Sequence, residues 1–207
     1  MRLFDYDSNF MRFMSLLSRI TLINLLWFLC CIPIVTIGAA TMAQHYSINC
    51  LIDGKITVFK NFKTGFKLHW KRATIVWFVL AALSAAFFVA YQMLNAMDLP
   101  GKEVPVALAV LAFITLIIFM MWVFPVMLHF NGSMQDILFN SFIFAFKHVP
   151  TSLIAAALYG FAWFLLTSVP LTRGLCILFG ESLVVYITMN LFKKVFRKYI
   201  PEEPESH

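Results

Sequence analysis

Six apolar stretches, near 14–32, 35–51, 73–95, 105–129, 151–169 and 174–191, alternate with polar breaks along the chain. A helix needs roughly 17–25 apolar residues to cross a hydrocarbon core, so the pattern predicts six membrane spans. Pro33 separates the first two spans, because proline lacks an amide donor and pushes its predecessor out of helix. Pro100-Gly101 is a turn signal between the third and fourth, and Pro170 to Arg173 reads as the turn joining the last two. Pro125 predicts a kink at the inner end of the fourth.

Two more stretches, 56–71 and 133–148, are patterned as helices but are too polar or too short to span. In the first, Phe59, Phe62, Phe66 and Trp70 recur at helical spacing beside a stripe of Lys60, Lys63, Lys67 and Lys71, with Arg72 closing it. Apolar and basic stripes side by side predict a helix half-sunk in an anionic leaflet. In the second, Ser133-Met134-Gln135-Asp136 is close to a capping box, and Asp136, Asn140 and Lys147 fall on one side. Residues 1–12 mix charged and aromatic residues, as an interfacial lead-in would. The expected fold is therefore all-α: one membrane domain over 1–207, a polytopic helix bundle of about six spans with two inner interfacial amphipathic helices.

Charge orients that bundle. With six spans and both termini inside, 14 of the 16 Lys and Arg residues fall on inner segments, leaving Lys102 and Arg173 outside. Five spans would reduce the split to 11 against 5, so the excess of cytoplasmic Lys and Arg in membrane proteins favours six. Composition agrees: 61% of residues are hydrophobic and only 13% charged, more apolar surface than a soluble fold of 207 residues could bury. The net charge of +6 belongs to segments flanking the spans, which points to anionic headgroups and away from nucleic acid. A removable signal peptide is not expected, since the first apolar stretch runs on into Cys31-Ile32-Pro33.

Candidate chemistry is sparse. Glu181 lies seven positions into the sixth predicted span, and an ionisable group at that depth usually faces the bundle interior with a partner. His45 and Arg173 are the candidate partners. Gln44, His45 and Asn49 make the second span the most polar one, fit either to line a pathway or to hydrogen-bond between helices. Ala39/Ala43, Ala81/Ala85 and Ala156/Gly160 are small pairs that would let helices approach closely. Cys30, Cys31, Cys50 and Cys176 lack metal spacing and read as buried free thiols. Neither a phosphate-binding loop nor a zinc-protease motif is present, so no cofactor, no metal and no enzyme activity are expected.

Three segments carry a resemblance. Phe59 to Lys67 running on to Arg72-Ala73-Thr74-Ile75-Val76-Trp77, Ile32 to Ala39 (IPIVTIGA), and Tyr186 to Asn190 together resemble the YesL-like family of bacterial membrane proteins. That family is itself a domain of unknown function with no catalytic residues to carry over. Its members often occur near sugar-uptake and polysaccharide-degradation systems, so the resemblance implies an association with carbohydrate import. The expected function is a non-catalytic accessory or assembly subunit of a membrane complex in the cell membrane. Its expected partners are an anionic inner leaflet and importer permease subunits. The alternative is a small stand-alone transporter or channel with a pathway near His45 and Glu181.

Overall fold

The structure is a computed structural model that describes residues 9–96, 101–168 and 170–199. The described chain runs α1 (Asn9–Cys31), a 3-10 turn (Ile34–Thr36), α2 (Ile37–Ile52), α3 (Val58–Ala96), α4 (Glu103–His129), α5 (Met134–Lys147), α6 (Val149–Ser168), α7 (Pro170–Leu175), a π-helical turn (Cys176–Gly180) and α8 (Glu181–Phe196). No strand occurs among the described residues. Five helical segments are long and apolar enough to cross a membrane: Phe10–Cys31, Val58–Ala96, Glu103–His129, Val149–Ser168 and Arg173–Phe196. The protein is an all-α, multi-pass membrane bundle.

The second predicted span differs. It forms α2, whose 16 residues rise about 24 Å, short of a hydrocarbon core of about 30 Å. It is instead the buried centre of the bundle, with α1, α3, α4 and α8 around it. Its end is sharply made. Gly54 adopts a left-handed φ of +78°, Lys55 N–H donates to Cys50 C=O at 2.8 Å, and Gly54 N–H donates to Leu51 C=O at 3.1 Å. That double closure caps the last carbonyls and turns the chain back.

The largest departure from the sequence reading is α3. The interfacial helix predicted at 56–71 and the span predicted at 73–95 are one continuous helix of 39 residues, about 58 Å long. Between Val58 and Ala96 there is no proline, and the change from basic to apolar composition carries no helix-breaking chemistry. The basic half does not lie flat either. Phe62 is buried and Phe66 half-buried, while Phe59 and Trp70 remain exposed. Leu26 and Cys30 of α1 share a cleft with Phe59, Phe62 and Phe66.

Helix α2 runs antiparallel beside this basic half. A Cβ on Gly38 would sit 2.4 Å from the Ala73 carbonyl oxygen, and one on Gly65 would sit 2.6 Å from Tyr46 Cβ, so two glycines make the close approach possible. Of the small pairs expected to serve this purpose, Ala39 and Ala43 are buried. Ala85 is exposed and Gly160 faces open space, so the other two pairs do not seat neighbouring helices.

Three antiparallel hairpins result: α1 with α2, α3 with α4, and α6 with the α7–α8 rod. Each returns the chain to one end of the bundle. There Asp53, at the close of α2, forms an ion pair with Lys193 of α8. His129, at the end of α4, lies 4.8 Å from the Phe196 ring. Helix α5 crosses this end with the capping box intact: Ser133 Oγ accepts from Asp136 N–H at 3.2 Å, and Ser133 N–H donates to Asp136 Oδ2 at 2.9 Å. Those bonds to Ser133 hold the Asp136 carboxyl below its usual range. The stretch predicted as a turn at 170–173 is helical and opens α7.

A buried aromatic cluster packs at this end. Trp122 is fully buried, 4.3 Å from Phe192, 5.7 Å from Phe144 and 5.9 Å from Phe196, and its Nε1 donates to Ser152 Oγ at 2.9 Å. The opposite halves of α3, α4 and α6 present exposed apolar side chains, among them Phe88, Leu111 and Phe164. Such a surface suits lipid, which exerts no hydrophobic penalty on it.

Candidate functional site

A polar junction joins α1, α2 and α8 inside the bundle. Asn24 is fully buried; its Nδ2 donates to the Ile177 carbonyl at 2.7 Å and its Oδ1 accepts from the Ser182 amide at 2.9 Å. Those two backbone groups are five residues apart, one inside the π-helical turn and one just beyond it, where the regular i to i−4 ladder is interrupted. The Asn24 carboxamide bonds to the backbone at this irregularity, as an inserted side chain can. Gln44 completes the junction: its Nε2 donates to Ser182 Oγ at 2.9 Å, while its buried Oε1 has no protein partner.

Of the four residues singled out for an intramembrane site, the structure brings Gln44 to the residue next to Glu181. His45 goes elsewhere. Its Nδ1 lies 2.9 Å from the Thr41 carbonyl, and its ring stacks on Phe124 at 5.7 Å. Asn49 sits one turn before Asp53, with a buried Oδ1 that has no partner. Neither anticipated partner of Glu181 hydrogen-bonds to it. Arg173 donates instead through Nε to the Leu166 carbonyl at 3.2 Å and through Nη2 to the Thr167 carbonyl at 3.1 Å, holding the last turn of α6. Asn24 was missed in the sequence. Its one signal was a lone carboxamide within an apolar run, where buried polar groups seldom occur without a role.

Glu181 half-buries its side chain in a cleft of about 310 Å³ between α1, α6 and the start of α8. Trp27, Phe28, Tyr159 and Trp163 line it with Glu181. The Trp27 indole is held by a 3.2 Å hydrogen bond from Nε1 to Thr41 Oγ1. Among the described residues, no hydrogen bond or ion pair reaches the Glu181 carboxylate. No group of three or more His, Cys, Asp or Glu among those residues could hold a metal ion. Cys30, Cys31 and Cys50 are free.

The second candidate feature is the basic face of α3. Lys60, Lys63, Lys67, Lys71 and Arg72 are all exposed. Arg72 differs from the rest because its Nη1 donates to the Gly132 carbonyl at 3.3 Å, tying α3 to the α4–α5 loop. The four lysines stay on an open face of a helix braced by α2.

Fold and sites together define a multi-pass helical membrane protein with a buried carboxamide junction, a carboxylate cleft and a basic helix face. Residues 20–91 match the family model described as a protein of unknown function, DUF624. The matched span covers Asn24, Gln44, His45 and the lysine stripe, and stops short of Glu181. No curated protein and no solved structure matches the chain.

Proposed function

We propose that this chain is a non-catalytic accessory or assembly subunit of a complex in the bacterial cell membrane, and that its basic end faces the cytoplasm. The observation that carries the reading is the construction of α3. One rigid helix joins an apolar membrane-crossing half to an exposed row of Lys60, Lys63, Lys67 and Lys71, with α2 locked along it through Gly38 and Gly65. A long, braced, charged face offers a docking surface for an anionic leaflet and for an acidic partner. Each exposed lysine near an anionic leaflet contributes about 1 kcal/mol. Although α2 is short of a full crossing, it carries the chain back to the end where α1 begins; the three hairpins then close where Lys147, Lys193, Lys194 and Arg197 lie, which supports placing both ends of the described chain there.

The YesL-like resemblance, with its link to sugar uptake, nominates the permease subunits of a carbohydrate importer as the partners. The transporter alternative draws less support, because His45 is sealed between Thr41 and Phe124 while Glu181 faces a separate cleft. Affinity purification after gentle detergent extraction, read by mass spectrometry, tests the reading. Importer subunits should be recovered at fixed stoichiometry with the natural chain and lost when the four lysines are changed to Gln. Recovery of the chain alone, together with sugar flux by the purified protein in liposomes, would transfer the function to the transporter reading.

A further inference from the structure

We propose that the cleft between α1, α6 and α8 binds an alkylammonium group, with the Glu181 carboxylate meeting the charge and the surrounding aromatic side chains covering its apolar body. The chemistry of the lining selects this class. Among the described residues that line the cleft, Glu181 is the one charged group, and none of those residues neutralises it. A carboxylate withdrawn from water is costly unless a cation meets it, so an unpaired one marks a place for a positive ligand. Trp27, Phe28, Tyr159 and Trp163 supply the aromatic surface on which alkylammonium ions are held, through the negative potential of ring faces.

Other ligand classes fit less well. A polyhydroxylated ligand would need several hydrogen-bonding partners. The Trp27 N–H is committed to Thr41, and the Tyr159 hydroxyl lies against the Thr188 side chain. An anion would be repelled by Glu181, and a metal ion would find one carboxylate where it needs a set of ligands. The Arg173 guanidinium is engaged by the Leu166 and Thr167 carbonyls and does not serve as the counter-ion. Access is from the flank of the bundle, since Trp163 is 67% exposed and Phe28 39% exposed. The ligand is accordingly amphiphilic, and its ammonium could belong to an aminophospholipid headgroup or to a free lipophilic amine.

The test is a scintillation-proximity titration of the purified full chain in dodecylmaltoside micelles with radiolabelled dodecyltrimethylammonium. Saturable binding is expected, with uncharged dodecanol competing poorly. Glu181→Gln should weaken binding by about tenfold or more, the scale of losing one close Coulombic contact between opposite unit charges out of bulk water. Trp163→Leu should weaken it severalfold, and its exposed position keeps folding out of the result. Lys67→Gln, on the docking face of α3, should leave binding unchanged, which separates this site from the assembly reading. Competition by phosphatidylethanolamine added to the micelles assigns the site to a lipid headgroup, and its absence assigns it to a free amine. Equal affinity in Glu181→Gln and the natural chain, or dodecanol competing as well as the labelled cation, would overturn the proposal. Should Glu181→Gln fail to fold, unchanged binding in Trp163→Leu would do the same.

Discussion

Asn24 of α1 accepts the Ser182 amide of α8 at 2.9 Å, closing a helix irregularity from a neighbouring helix. The same carboxamide donates to the Ile177 carbonyl at 2.7 Å, so one side chain of α1 bridges two backbone groups on either side of a change in helix type. Replacing it with Leu should remove both bonds. A buried polar group left unpaired costs about 1–3 kcal/mol, so Asn24→Leu should lower the thermal midpoint measured by tryptophan fluorescence in detergent. Ser182→Ala, which keeps the backbone amide, should cost less. Equal loss in the two variants would mean that the Asn24 backbone bridge contributes little.

Gly38 provides a sharper packing test. A methyl group there would meet the Ala73 carbonyl oxygen at 2.4 Å and Trp77 Cβ at 2.6 Å, and neither can move without shifting α3. Gly38→Ala should therefore destabilise by about 1–3 kcal/mol, the usual scale of overpacking. Gly160→Ala is the control, because nothing lies within 4 Å of the added atom. It should match or slightly exceed the natural chain in detergent melting, since alanine favours helix. Similar melting of both variants would place α2 and α3 farther apart than described.

The continuity of α3 can be measured directly. Spin labels at Thr64 and Phe88, both exposed on α3, should be separated by about 36 Å along an unbroken helix at 1.5 Å per residue. If 56–71 instead lay flat on the leaflet at right angles to the span, the separation would fall to about 27 Å by the same rise. Double electron–electron resonance in nanodiscs distinguishes the two values.

The apolar stretches announced membrane helices because composition and length decide solubility in lipid. The Ser133–Asp136 cap was readable because its bonds are local. The join at Arg72 and Ala73 is not, because the change there from basic to apolar composition carries no helix-breaking residue and looks like an element boundary. Glu181 and Gln44 stand out by their polarity, yet the partners expected for Glu181 depend on how α2 and α7 are rotated. The periodicity of one helix does not fix that rotation. Asn24 is illegible for a related reason: its role belongs to the π-helical turn before α8, 153 residues away from its own position.

The elbow between α5 and α6 should respond to acid. His148 Nε2 lies 3.0 Å from the Tyr199 hydroxyl, and with its proton on Nδ1 the ring accepts that hydrogen bond. Burial, then the charges of Lys198 and Lys147, hold the His148 pKa below the ordinary 6.5. Lys147 also lies over the Tyr199 ring at 4.9 Å, so a protonated imidazole would add a further positive charge to the same cluster. The sign follows from proton counting. Between the folded and unfolded pKa values the unfolded state binds more protons, so stability is full above about 6.5 and declines as the pH falls toward the folded value. Hydrogen exchange reports this at Arg197, Lys198 and Tyr199, whose amides donate to Lys193, Val195 and Phe196 carbonyls. After correction for intrinsic rates, these amides should exchange faster near pH 5 than near pH 7.5. His148→Gln should remove the pH dependence while leaving α6 in place. Equal protection at both pH values in the natural chain would show that His148 does not help hold the end of α8.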